Sequence, residues 1–153
     1  MSKAFSIIVL IILALLALFI ILNLNQQKVI KPYPLTYEDG TYRGVFIDGE
    51  VIQVNVEFNL KDGIVTAANF RHLKRNELYY MGTEQEPYRS VCMQYQEALQ
   101  YLVGKNLKTH LRDLYQPGEI VTLEVDGYTS ATIRSSKIIS AIRDGLNRGV
   151  YSY

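Results

Sequence analysis

The chain is 153 residues long, 48% hydrophobic and 20% charged, with 16 Lys+Arg against 15 Asp+Glu. That length predicts a single domain, and the near-zero net charge excludes the basic surface that non-specific nucleic-acid binding needs. One cysteine, Cys92, excludes an internal disulfide framework and a cysteine-based zinc or iron–sulfur site within one chain, and the two histidines, His72 and His110, have no HExxH-type spacing.

The hydrophobic residues are unevenly spread. Met1 to Gln27 holds 20 of them and a single charge, Lys3, whereas Lys28 to Tyr153 has 54 hydrophobic and 30 charged residues in 126, ordinary values for a soluble domain. Ile7 to Leu22 is an unbroken run of 16 apolar residues, and Ala4 to Leu24 adds only Ser6 and Asn23 as polar members. A helix needs about 20 such residues to cross hydrocarbon, and this one is apolar on every face. A cleaved signal peptide is the alternative. Asn23 to Gln27 offers no A-x-A-like cleavage site and no lipoprotein cysteine, so residues 1–27 are expected to be an uncleaved anchor seated in the lipid bilayer through residues 4–24. Lys3 and the amino group flank one side, Lys28 and Lys31 the other, which leaves the positive-inside rule balanced. The very short N-terminal tail is expected to stay inside. The domain then lies on the extracytoplasmic face of a bacterial inner or cytoplasmic membrane.

Residues 28–38, with Pro32 and Pro34, read as a short stiff tether, and residues 39–153 as the domain. Thr41 to Ile47 predicts a strand, Asp48-Gly49 a tight turn, Glu50 to Leu60 a second strand, Asp62-Gly63 another turn, and Ile64 to Phe70 a third strand. Val54, Val56 and Phe58 alternate with Asn55, Glu57 and Asn59, so one face of this antiparallel meander is buried and the other wet. Arg71 to Pro87 reads as a polar, irregular stretch. Tyr88 to Val103 reads as a helix whose apolar face is Val91, Tyr95, Ala98, Leu99 and Leu102, with Gly104 placed to end it. Leu107 to Leu114 predicts a shorter helix, Pro117-Gly118 a turn and Glu119 to Val125 a strand. Ser136 to Arg148 predicts an amphipathic helix with Ile138, Ile139, Ile142 and Leu146 inward, Ser135 or Ser136 as N-cap and Gly149 as stop. The order predicts an α+β fold: an antiparallel sheet with helices packed on it, preceded by one transmembrane helix.

Between the last predicted strand and the last helix runs Asp126-Gly127-Tyr128-Thr129-Ser130-Ala131-Thr132-Ile133-Arg134-Ser135-Ser136. Hydroxyls, small residues and one arginine feed into a helix N-terminus, where backbone N–H groups and the helix dipole favour an anion. The combination suits a phosphate group. Ser/Thr-rich loops also arise because these residues cap helices, so composition leaves both readings open.

The order of the residues carries more. Asp126-x-x-Thr129-x-Ala131-Thr132, followed by Ser135, resembles the D-x-x-[ST]-G-A-T-x-x-S signature of the FMN-binding domain family, which includes the flavin-carrying subunits of the sodium-pumping NADH:quinone oxidoreductase and of Rnf complexes. Asp39-Gly40-Thr41-Tyr42-Arg43-Gly44 and Lys61-Asp62-Gly63-Ile64-Val65-Thr66 resemble further patterns of that family, so the similarity spans about residues 39 to 149. The resemblance implies FMN attached through a phosphoester to Thr132 by a separate flavin transferase. Asp126, Thr129 and Ala131 would belong to the transferase recognition signature, with Ser135 as the last residue of the motif, and Arg134 is the arginine of the phosphate reading above. Ser130 stands where the family has Gly. The implied role is a membrane-anchored redox carrier, rather than a stand-alone enzyme, that passes electrons to a partner the sequence does not identify. The alternative is a flavin-free, membrane-anchored binding or assembly module of the same fold, which the Ser130 departure favours.

Other residues admit two readings each. Arg71, His72, Lys74 and Arg75 form a basic cluster that could stabilise a reduced flavin or simply be solvated. Tyr79 and Tyr80 could stack on a flavin ring or pack on the domain. Cys92 reads as a buried structural thiol, and His110 as a surface residue.

Overall fold

Two Asp-Gly turns organise the first part of the domain. In the computed structural model, which describes residues 5, 36–49, 51–123 and 134–152, strands β1 (Gly40–Asp48), β2 (Ile52–Lys61), β3 (Ile64–Arg75) and β4 (Leu78–Tyr79) form an antiparallel sheet in the order β1-β2-β3-β4. At the β2–β3 turn both Asp62 (φ 52°) and Gly63 (φ 75°) are left-handed, the geometry a two-residue hairpin requires and the reason for the Asp-Gly pair. Asp39 accepts the Asp62 N–H at 2.7 Å, tying that turn to the start of β1.

The alternation in β2 does what its period demands. Val54, Val56, Phe58 and Leu60 are buried, and Tyr42, Gly44 and Phe46 of β1 pair with Phe58, Val56 and Val54 on the same face. Tyr42 stacks on Phe58 with ring centroids 5.2 Å apart, and its hydroxyl donates to the Glu38 carbonyl.

The third strand is longer than its sequence pattern predicts. Thr66 and Arg71 are bulges: Asn59 and Leu60 pair with Ala67 and Val65, and Asn55 and Val56 pair with His72 and Phe70. Each bulge shifts the inward residues by one, so Val65, Ala68, Phe70 and Leu73 are buried at uneven spacing. The stretch predicted to be irregular after Phe70 instead completes β3, turns at Asn76 (φ 51°) and pairs back as β4.

Both long helices cover the sheet face that carries Val56 and Phe58. Helix α1 (Tyr88–Gln100) buries Val91, Tyr95, Ala98 and Leu99 against β3, with Tyr95 edge-on to Phe70 at 6.4 Å. It ends three residues before the predicted Val103, and Gly104 (φ 81°) follows. Cys92 is buried, and burial pushes its thiol pKa up, as expected for a structural residue. Helix α2 (Leu107–His110) runs on as a 3₁₀ turn over Leu111–Tyr115, capped by the Asn106 side chain. Helix α3 (Ser136–Arg148) lies on β1 and β2 with Ile138, Ile139, Ala141 and Ile142 buried and Leu146 half-buried. Each fully buried isoleucine contributes about 2 kcal/mol by transfer.

The strand predicted over 119–125 is not formed where the structure describes it. Pro117–Glu119 is a 3₁₀ turn, Ile120 completes the turn, and Val121 to Leu123 has no regular structure and lies outside the sheet. The reason lies in its N–H groups. Those of Ile120 and Val121 donate to the Pro117 carbonyl, and those of Thr122 and Leu123 to the Glu97 carboxylate. No N–H of this run is left to donate to a ladder.

The chain divides into two compact units, Met1–Leu35 and Thr36–Tyr153. Among the described residues no helix is long and apolar enough to cross a membrane. The predicted span, residues 4–24, lies outside them apart from Phe5.

Candidate functional site

Asp126, Thr129, Ser130, Ala131 and Thr132 lie outside the described residues, so the site is built from the two ends of chain that flank them. Thr122 and Leu123 form the incoming stem, and Arg134 and Ser135 the outgoing one. Arg134 is exposed, while Ser135 is 2% exposed. Ser135 occupies the N-cap position of α3, as predicted, but its side chain does not cap: the hydroxyl donates to the Leu114 carbonyl. That contact ties the outgoing stem to the 3₁₀ turn.

Helix α1 holds both stems. Gln94 donates from Nε2 to the Leu123 carbonyl at 2.8 Å. Glu97 accepts three hydrogen bonds: from the Thr122 N–H at 3.0 Å, the Thr122 hydroxyl at 2.6 Å and the Leu123 N–H at 3.2 Å. On the other side the Arg134 N–H donates to the Tyr95 hydroxyl oxygen at 3.1 Å. Tyr95 sits in an aromatic group with Phe70 and Tyr80, and Tyr80 stacks on Tyr88 at 6.2 Å. Burial pushes its phenol pKa up, so Tyr95 stays neutral.

Burial alone would raise the Glu97 pKa, but the hydrogen bonds from Thr122 and Leu123 outweigh it and hold the carboxyl below the usual range. The sign follows. The stabilisation is full above the ordinary value of 4.5 and is lost as pH falls through the lowered folded value. Thermal midpoints of the wild type and Glu97→Gln, followed from pH 7 downward, are therefore expected to converge in acid.

Charge near the start of α3 is balanced locally. Lys137 donates to Asp48 at 2.8 Å and lies 4.4 Å from the Phe46 ring centroid. That hydrogen bond, with the Lys137 charge, holds the Asp48 carboxyl below its usual range, and the Arg134 charge adds to the effect.

The predicted basic cluster is not one site. Arg71 is paired with Glu57 at 3.0 Å, and Lys74 with Glu77 at 3.6 Å. His72 stands edge-on to the Tyr79 ring at 5.1 Å. Tyr79 and Tyr80 diverge: Tyr79 is 55% exposed and Tyr80 is 5% exposed in the core. His110 is half-exposed, with Nδ1 2.9 Å from Asp113. A cavity of about 360 Å³ is lined by Arg43, Asn55, Arg71, Arg148 and Tyr151, but each arginine has a carboxylate partner, Glu57 or Asp144. Arg148 and Arg134 stand at opposite ends of α3, about 20 Å apart along the helix, so this cavity does not adjoin the stems.

The sequence does not single out Gln94, Tyr95, Glu97 and Thr122 as site residues, although helical spacing puts Tyr95 on the inward face. Gln94 carried a signal: a glutamine three residues after Val91 and four before Ala98 sits on the apolar face of α1. It is fully buried, and among the described residues its Oε1 has no hydrogen-bond partner. A buried acceptor beside the incoming stem fits a group with N–H or O–H donors. Among the described residues no cluster of three or more His, Cys, Asp or Glu could hold a metal ion. No protein-family model matches the chain, and no curated protein matches it.

Proposed function

We propose that this chain is a membrane-anchored FMN-binding electron carrier with FMN esterified to Thr132. The observation that carries the reading is the ordered signature Asp126-x-x-Thr129-Ser130-Ala131-Thr132-x-x-Ser135, set between two stems that one helix holds. Two peptide units, about 7 Å at full stretch, separate Thr132 from Arg134, whose exposed guanidinium suits a phosphate. The Asp39–Gly44 and Lys61–Gly63 patterns support the reading from a second direction. They build the β1–α3 contact and the β2–β3 turn, so the family-like residues are those on which this fold depends.

Esterification needs an activated phosphate, which a flavin dinucleotide supplies to the transferase. The Thr132 oxygen–phosphorus bond forms as the pyrophosphate bond breaks, the hydroxyl proton leaves, and the nucleoside monophosphate departs. FMN, once bound, supplies the one- and two-electron chemistry. The chain positions it and tunes its surroundings. The apolar run 4–24 would hold the carrier at the membrane, and the redox partner would be met there.

Co-expression with a flavin transferase followed by a denaturing gel tests the reading. Wild type is expected to fluoresce under ultraviolet light. A dark band, with a second acceptor labelled in the same cells, would refute covalent attachment and favour the flavin-free module that Ser130 in place of Gly suggests. Asp126→Ala is expected to lower labelling at least tenfold with an unchanged circular dichroism spectrum, because the transferase would lose one recognition group while the sheet and helices stay intact.

A further inference from the structure

The contacts on α1 have a common geometry. Gln94 and Glu97 lie one turn apart on the same side of the helix, and both reach the incoming stem. Tyr95, a third of a turn round, reaches the outgoing stem. One rigid element therefore fixes both ends of the ten-residue segment 124–133. Three of the bonds converge on one carboxylate and are charge-assisted, roughly twice as strong as neutral ones. The Tyr95 ring is part of the core, but its hydroxyl and the polar ends of Gln94 and Glu97 are not needed to close it. Val91, Ala98 and Leu99 seat α1 on β3 by apolar contact, and a buried glutamine costs stability unless it is hydrogen-bonded, as Gln94 is to the Leu123 carbonyl.

We infer that Gln94, Tyr95 and Glu97 are positioning residues that set the spacing and direction of the two stems, and so the reach at which the Thr132 hydroxyl is offered to the transferase. The assignment rests on the FMN reading for what the segment carries, but the clamp itself stands on the hydrogen bonds alone. Its size of effect follows from the sensitivity of group transfer to alignment, where a displacement of about 1 Å can cost on the order of a hundredfold in rate.

The test uses the full chain in detergent with three variants. Glu97→Ala removes all three acceptor contacts. Glu97→Gln keeps one oxygen for Thr122 and loses the acceptor for Leu123. Tyr95→Phe removes only the acceptor for the Arg134 N–H and leaves the ring packed on Phe70. Ile142→Val serves as a control that loosens the core away from the stems. Two readouts are taken: amide hydrogen exchange over 120–123 and 134–135, and the initial rate of flavin transfer.

Glu97→Ala is expected to speed exchange at Thr122 and Leu123 at least tenfold and to slow transfer at least tenfold. Glu97→Gln should recover part of both, Tyr95→Phe should speed exchange at Arg134, and Ile142→Val should leave the transfer rate within twofold of wild type. Unchanged exchange at the stems in Glu97→Ala would overturn the clamp. Fast exchange with an undiminished transfer rate would overturn its positioning role. Were wild type never to take flavin, the FMN reading would fall, and the exchange data would still decide whether α1 holds the stems.

Discussion

Thr132→Ala is expected to abolish denaturation-resistant flavin fluorescence, whereas Thr129→Ala leaves a reduced but detectable band. The difference follows from chemistry. A phosphoester needs a hydroxyl oxygen at the acceptor, and alanine has none, so the loss at position 132 is complete rather than graded. Position 129 belongs to the recognition signature and can be weakened without removing the nucleophile. Thr132→Ser retains a hydroxyl and should restore labelling, more slowly, because serine lacks the β-branch that restricts the χ1 of threonine. A band of wild-type intensity in Thr132→Ala would move the acceptor to one of the neighbouring hydroxyls, Thr129, Ser130, Ser135 or Ser136.

The largest effect on stability is expected at Gly44. A Cβ built there overlaps the Ala141 carbonyl oxygen and comes within 2.5 Å of the Gly145 nitrogen. The backbones of β1 and α3 touch at this point, and the neighbouring atoms are main-chain atoms that cannot swing aside. Gly44→Ala must push α3 off the sheet and open gaps around Ile138 and Ile142. The expected cost is about 3 kcal/mol, or roughly 10 °C in thermal midpoint for a domain of this size. Gly145→Ala is milder, because its Cβ would meet the Arg43 and Gly44 backbone and the Phe58 ring at 3.2 Å; about 1 kcal/mol is expected. Chemical denaturation of the two variants checks the order. A Gly44→Ala variant as stable as wild type would show that the helix does not sit on β1 as described.

The Gly44 contact also explains why so much of this fold can be read from the chain. The Asp-Gly turns announce the hairpins because only a few residue types accept left-handed conformation. The β2 alternation announces its buried face because a strand has period two. The Ile138, Ile139 and Ile142 face announces α3 by helical spacing. Three features escape for equally physical reasons. The bulges at Thr66 and Arg71 break the two-residue period, so the end of β3 reads as irregular. The 119–125 segment has the apolar content of a strand, but the N–H groups of Ile120 to Leu123 are claimed by the Pro117 carbonyl and the Glu97 carboxylate, the latter a partnership across 25 residues that no local pattern reveals. Gln94 is a polar residue on an apolar helix face, and only the Leu123 carbonyl shows why it is there. The proposed flavin signature is legible for the opposite reason. It is a linear motif of hydroxyls and small residues, and the structure adds the helix that holds Thr122 and Leu123 before it and Arg134 near its end.

Peptide mass spectrometry of the full chain, purified after co-expression with a flavin transferase, tests the central claim most directly. The account predicts that the peptide carrying Thr132 gains the mass of one FMN less one water, with fragment ions placing the addition on Thr132. The same peptide at its unmodified mass, with another acceptor flavinylated by the same transferase in the same cells, would contradict it.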